Sequence, residues 1–139
     1  MKNELLKRIN QLTPKIQPKF GQMTAHQMVC HCTDFYRLIL GEMLLKEKPL
    51  LNVQEVTQLA QSKKKVPSPN QFDQVAGNGT SPKNFESDLA TLKKYLEKFY
   101  RLNEDYDYPP HFYFGRLSRI EWRKIAYYHM NHPLRQFKV

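Results

Sequence analysis

Four stretches of this chain repeat apolar residues every three or four positions, and proline or glycine separates each from the next. That period lines apolar side chains along one side of an α-helix, and no segment shows the strict alternation of a half-buried strand. The first stretch predicts a helix from Lys2 to about Leu12, with Leu5, Leu6, Ile9 and Leu12 on one face and Pro14 as its stop. A loop holding Pro14, Pro18 and Gly21 leads to Thr24-Ala-His-Gln27, whose hydroxyl and amide three residues apart form a capping-box pattern. The helix it opens runs to about Met43, with Met28, His31, Cys32, Phe35, Leu38, Ile39 and Met43 facing inward. Residues 49–81 are the least regular; Val53 to Gln61 fits a short helix, and the prolines and glycines around it keep the rest as loop. Ser81-Pro82 reads as an N-cap and first-turn pair for a third long helix, Pro82 to about Leu102. After the loop NEDYDYPPHFYFG, a second capping box, Ser118 to Glu121, opens the last helix, on which Trp122, Ile125, His129, His132 and Gln136 make one stripe. The class is all-α, and four long amphipathic helices predict a bundle.

Length and composition narrow the rest. At 139 residues the chain reads as a single domain over 1–139. Its mean hydropathy of -0.69 and the lack of any apolar run near the roughly 20 residues of a membrane span argue against a membrane protein. The charged, amphipathic start MKNELLKRINQL lacks a signal peptide's apolar centre, so the expected location is cytoplasmic. Cys30 and Cys32, two apart on a helix, point about 200° away from each other and do not easily form a disulfide, and with no other cysteine a Cys-rich zinc site is excluded. They read as small half-buried thiols, or Cys32 edges a pocket shared with His31. The net charge of +9 is scattered apart from Lys63-Lys64-Lys65. That suits a solvated basic surface better than a nucleic-acid binder, which gathers charge on one face.

The chemistry, if any, lies with the histidines. Residues at i and i+3 lie on one side of a helix, so His129 and His132 form an imperfect two-ligand unit, and His31 supplies a third if its helix packs beside the last. Three neutral nitrogens suit zinc, nickel or iron(II) rather than magnesium or calcium. The competing reading for each is a hydrogen-bonded core histidine. Asp34 lies one turn from His31 and can orient its ring, whereas Glu121 reads as a cap and His26 as a surface or capping residue. Trp122 and Tyr127 read as packing, as does Tyr128, with its hydroxyl also a candidate for the pocket.

The segments FGQMTAHQMVCHCTDFYRLILGE and PPHFYFGRLSRIEWRKIAYYHMNHPLRQF resemble the second and last helices of the DinB/YfiT-like superfamily. More narrowly, they are similar to a small branch with the patterns W/F-G-x-M-T-x-x-Q-M…H and H-P-x-F-G-x-L-S/T…W…H-x-x-H-H-L-R-Q-F. The resemblance implies an up-down-down-up four-helix bundle, often dimeric, with a pocket holding a divalent metal on three histidines. Relatives include thiol-cofactor-dependent transferases and isomerases and metal-dependent hydrolases. His31 matches the first ligand and His129 the second, while the third position is Pro133 and His132 matches the histidine before it. His111 matches the histidine of H-P-x-F-G, with Phe112 in place of its proline, and is expected at the pocket mouth or as a loop stabiliser. Arg135 and Gln136 match the R-Q-F ending and are expected to support the pocket from behind. Pro133 removes one helical hydrogen bond; the resulting bend either re-aims His132 or accompanies loss of the metal. The expected function is a small-molecule pocket on His31 and His129 with weak metal binding or none. The alternatives are a metal-dependent hydrolase or thiol-dependent transferase using His31, His129 and His132, and a non-catalytic binding module.

Overall fold

The computed structural model describes residues 1–139 and is all-helical: α1 (Lys2–Ile9), α2 (Ala25–Ile39), α3 (Val53–Gln61), α4 (Phe85–Tyr100) and α5 (Arg119–Gln136), with a 3-10 turn at Asn70–Phe72. There is no strand, only one isolated antiparallel bridge between His111 and Gly115. No helix is long and apolar enough to cross a membrane.

Both sequence-predicted capping boxes form. Thr24 Oγ1 accepts from the Gln27 N–H at 3.1 Å while Gln27 Oε1 accepts from the Thr24 N–H at 2.9 Å. Ser118 and Glu121 exchange the same pair at 3.1 and 3.3 Å. Three boundaries differ from expectation. α1 closes at Ile9 because Gln11 and Leu12 turn back onto Arg8 and Ile9, a tighter winding before Pro14. α2 closes at Ile39, short of Met43: Gly41 takes φ +77°, and the amides of Gly41 and Glu42 bond to Leu38 and Arg37 in a Schellman stop. α4 begins at Phe85 because Asn84, and not Ser81, caps it, accepting from the Ser87 N–H at 2.9 Å.

α2 packs chiefly on α4, α1 on α4 and α5, and α2 also meets α5 and the 3-10 turn, while α3 approaches none of the other helices. Four helices share one core, filled by Leu5 and Ile9 of α1, Met28 and Tyr36 of α2, Leu92 and Phe99 of α4, and Trp122 and Met130 of α5. Burying such a side chain contributes about 1.5–3 kcal/mol each. On α5 the buried row is Trp122, Ala126, Met130 and Leu134, not the expected stripe through the histidines. The step of four that brings Trp122, Ala126, Met130 and Leu134 into register turns His129 and His132 onto the adjacent, solvent-facing flank. Pro133 lies inside α5 and is buried.

Candidate functional site

α2 and α5 meet where Phe35 lies against His129, their ring centroids 4.2 Å apart. His31 stands one turn before Phe35 and is half-buried. Its Nδ1 lies 2.7 Å from the Phe72 carbonyl and 3.2 Å from Gln74 Oε1. A carbonyl can only accept, so Nδ1 carries the hydrogen and Nε2 keeps its lone pair. The amide of Gln74 is fixed in turn, because its Nε2 donates to Asp34 Oδ2 at 2.8 Å. Asp34 is fully buried and also accepts from the Thr80 N–H and hydroxyl at 2.8 and 2.6 Å and from Arg37 at 3.0 Å. It therefore orients His31 through Gln74 rather than by direct contact. His31 Nε2 has no protein partner and is not buried.

His129 lies on the exposed flank of α5, and the protein packed about it, with His111, His31 and His132 nearby, lowers its pKa. The ring forms part of the surface where α2 and α5 meet. His111 borders it, 5.5 Å from Trp122 and stacked on Phe114. Burial lowers the His111 pKa to about 4. His132 lies on the outer side, between Phe20 at 5.9 Å and Tyr128 at 6.2 Å, and burial, Arg135 and Lys65 lower its pKa. Tyr128 is 64% exposed, so it forms rim rather than wall.

The expected three-histidine set does not converge: His31, His129 and His132 do not bring ligand atoms within 4.8 Å of one another. Two imidazoles and a divergent third do not fit a preformed three-ligand metal centre. Two residues expected at the pocket lie elsewhere. Cys32 is in the core, its Sγ 3.7 Å from Met28 Sδ, because α2 turns that side toward α4. Gln136 pins the 13–24 loop instead: its carbonyl accepts from Lys19 at 2.6 Å, and its amide fills the space beside Gly21.

The one group of three metal-ligand types in contact range is elsewhere: His26, Cys30 and Asp88, with ligand atoms all within 4.8 Å of one another. Asp88 Oδ2 accepts from His26 Nε2 at 2.6 Å, the Lys83 N–H at 3.1 Å and Cys30 Sγ at 3.9 Å. Burial, then Asp88 and Asp34, raise the Cys30 pKa to about 12. Burial opposes ionisation of Asp88, but the Lys83 N–H and His26 hold its carboxyl below the usual range. All three donors spend their hydrogens on one carboxylate, which makes the corner a polar tie between α2 and α4. An open cleft of about 690 Å³ between Arg37, Glu47, Gln71 and Thr80 contains no histidine, and Met43 is its only hydrophobic wall.

A family model described as "Protein of unknown function (DUF1569)" matches residues 3–139. The chain belongs to this family. No curated protein and no solved structure matches it. In this DUF1569 chain, sequence reasoning missed Gln74 and the Phe72 carbonyl, both from the irregular 49–81 region. The available signal was Phe72 itself, a large apolar residue in a polar loop, which is buried and seats that loop against α2. It also missed the His26–Asp88 contact, although His26 and Cys30 share one side of α2 at i and i+4.

Proposed function

We propose that the chain is a DinB/YfiT-like bundle, connected up-down-down-up, whose pocket on His31 and His129 takes a small-molecule ligand and binds a divalent metal weakly or not at all. The observation that carries this reading is the state of His31. Its Nδ1–H is committed to Phe72 and Gln74, which leaves Nε2 as an accessible acceptor within electrostatic reach of His129. Where the superfamily has its third ligand, this chain has the buried Pro133, and His132 points to the rim. Two free cysteines suit a cytoplasmic protein. A homodimer through the bundle faces goes with the superfamily resemblance.

The test is elemental analysis and calorimetric titration of tag-free protein with zinc, nickel and iron(II). The expected result is substoichiometric metal after gel filtration, unchanged in His31→Ala. Stoichiometric zinc that disappears in His31→Ala, His129→Ala and His132→Ala would overturn this reading and supply the metal centre that the second reading, a metal-dependent hydrolase or thiol-dependent transferase on His31, His129 and His132, requires. One observation favours that second reading: a backbone carbonyl on Nδ1 is how ligating histidines are commonly held.

A further inference from the structure

The open cleft of about 690 Å³ is lined by an arginine that is fixed in place and only partly used. Arg37 Nη1 donates to Asp34 Oδ1 at 3.0 Å and to Thr80 Oγ1 at 2.9 Å. Its guanidinium carbon lies 5.1 Å from the centre of the Tyr95 ring, and the Tyr95 hydroxyl donates to Glu42 Oε1 at 2.7 Å. Arg37 Nε and Nη2 have no protein partner and are not buried, which leaves three of the five N–H groups unspent.

The same cleft holds a carboxylate in the same condition. Glu47 Oε1 accepts from the Gln71 N–H at 2.9 Å, and Glu47 Oε2 has no partner and is not buried. The Gln71 side chain is consumed by the Lys46 N–H and the Leu44 carbonyl, at 2.5 and 3.1 Å, so the 44–47 loop is seated on the 3-10 turn. Arg37 makes its ion pair with buried Asp34 and not with Glu47. Asn70 and Asn78 add exposed side-chain amides to the lining, and Met43 is the one apolar wall.

These groups select by charge. A pre-set guanidinium fork matches a carboxylate. A plain carboxylic acid, however, would bring its charge beside Glu47, with Asp34 already behind Arg37. A plain amine would satisfy Glu47 and meet the charge of Arg37. A ligand with both groups leaves neither side chain unpaired, and the polar lining gives little hold to a large apolar group.

We infer that this cleft binds a small zwitterion, a free amino acid whose carboxylate accepts from Arg37 Nε and Nη2 and whose ammonium donates to Glu47 Oε2. It is a second site, separate from the pocket on His31 and His129, and does not depend on that reading.

Calorimetric titration of the whole protein with glycine, γ-aminobutyrate and 6-aminohexanoate tests it, because the three probes space the two charges differently. The N-acetyl and carboxamide forms of the tightest binder each remove one charge. Side-chain ¹⁵N spectra report where the probe sits. The expected result is a shift of the Arg37 Nε signal and binding about tenfold tighter than either blocked form, the scale of one charge-assisted hydrogen bond. Glu47→Gln keeps an acceptor for the Gln71 N–H but removes the charge. It should weaken the zwitterion about tenfold and leave the N-acetyl form no weaker.

A blocked form that binds as well as its parent overturns the ligand class, and no shift at Arg37 with any probe overturns the site. Shifts confined to His31 and His129 would do the same while supporting the histidine pocket. The probe ranking and spectra use the wild-type chain, so they decide the matter even if Glu47→Gln does not fold.

Discussion

His26 and His31 stand five positions apart on α2 and end in opposite states. His26 gives its Nε2 hydrogen to Asp88, which also gathers the Lys83 amide and the Cys30 thiol, so every donor of that corner is turned inward on one oxygen. His31 is held only from behind, by Phe72 and by the Gln74 amide that Asp34 fixes, and its Nε2 stays open. The first corner has the residue types of a metal site and works as a fastening between α2 and α4. The second has unspent valence, and that is what a ligand can use. Residue type and spacing nominate a site; the direction of the remaining lone pairs and hydrogens decides it.

The support behind His31 is also the most costly part of the chain to disturb. Asp34→Ala removes the acceptor of four hydrogen bonds and leaves Gln74 and Thr80 donors unpaired in or near the interior, at a cost of about 3 kcal/mol. For a chain of this size that lowers Tm by roughly 10 °C. The same variant should free the His31 ring while leaving His26 on Asp88, readable in ¹⁵N spectra. An unchanged Tm, or equal disturbance of both histidines, would erase the contrast between them.

Next in size is Gly79→Ala. Gly79 has φ +68°, and an added Cβ would come within 2.8 Å of Asp34 Oδ2 and press on the Gln74 amide. Left-handed backbone and a displaced buried hydrogen bond together predict a loss of about 2 kcal/mol, measured by urea unfolding. Gly77→Ala has the same backbone strain but nothing within 4 Å of its Cβ, so it should cost measurably less.

These residues show how far sequence carries. The helices were legible because their apolar period and capping boxes are local: Thr24 with Gln27 and Ser118 with Glu121 close within three residues. The role of His31 was half legible, since its position next to a second helix follows from packing, but its tautomer is set by Phe72 and Gln74, some forty residues away. Nothing in a loop rich in proline and glycine announces that partnership. The α5 stripe was misread for a related reason. Two neighbouring rows, Trp122-Ala126-Met130-Leu134 and Ile125-His129-His132-Gln136, both satisfy helical spacing, and only packing against α1 and α2 selects the first.

A smaller effect separates His111 from an ordinary surface histidine. Its pKa is about 4 in the folded chain against a reference of 6.5, so the unfolded chain binds the extra proton first as pH falls. The stability it contributes is complete above pH 6.5 and is lost as pH falls toward 4. Protonation also places a hydrogen where Nδ1 accepts from Tyr113 and Phe114. Urea unfolding between pH 7 and pH 4.5 should therefore show a decline that is shallower in His111→Asn than in wild type. Identical pH slopes would mean that the ring is not held as the neutral acceptor.

The smallest expected change is none at all, and it examines the closed corner directly. With Cys30 raised to about 12 from 9.0, the folded chain holds on the order of a thousandfold less thiolate than a free thiol at the same pH. Cys32 is raised to about 12 as well, by burial first and then by Asp34 and Cys30. Native protein at pH 8 should resist iodoacetamide, and both thiols should label on unfolding. A cation on His26, Cys30 and Asp88 would predict something different, since a coordinating thiol is deprotonated outright. Titration with zinc should then release a proton and give a thiolate-to-metal absorption change. Its absence, with His26 still hydrogen-bonded to Asp88, keeps that corner a fastening and leaves His31, with its Nε2 unpartnered, as the open histidine of α2.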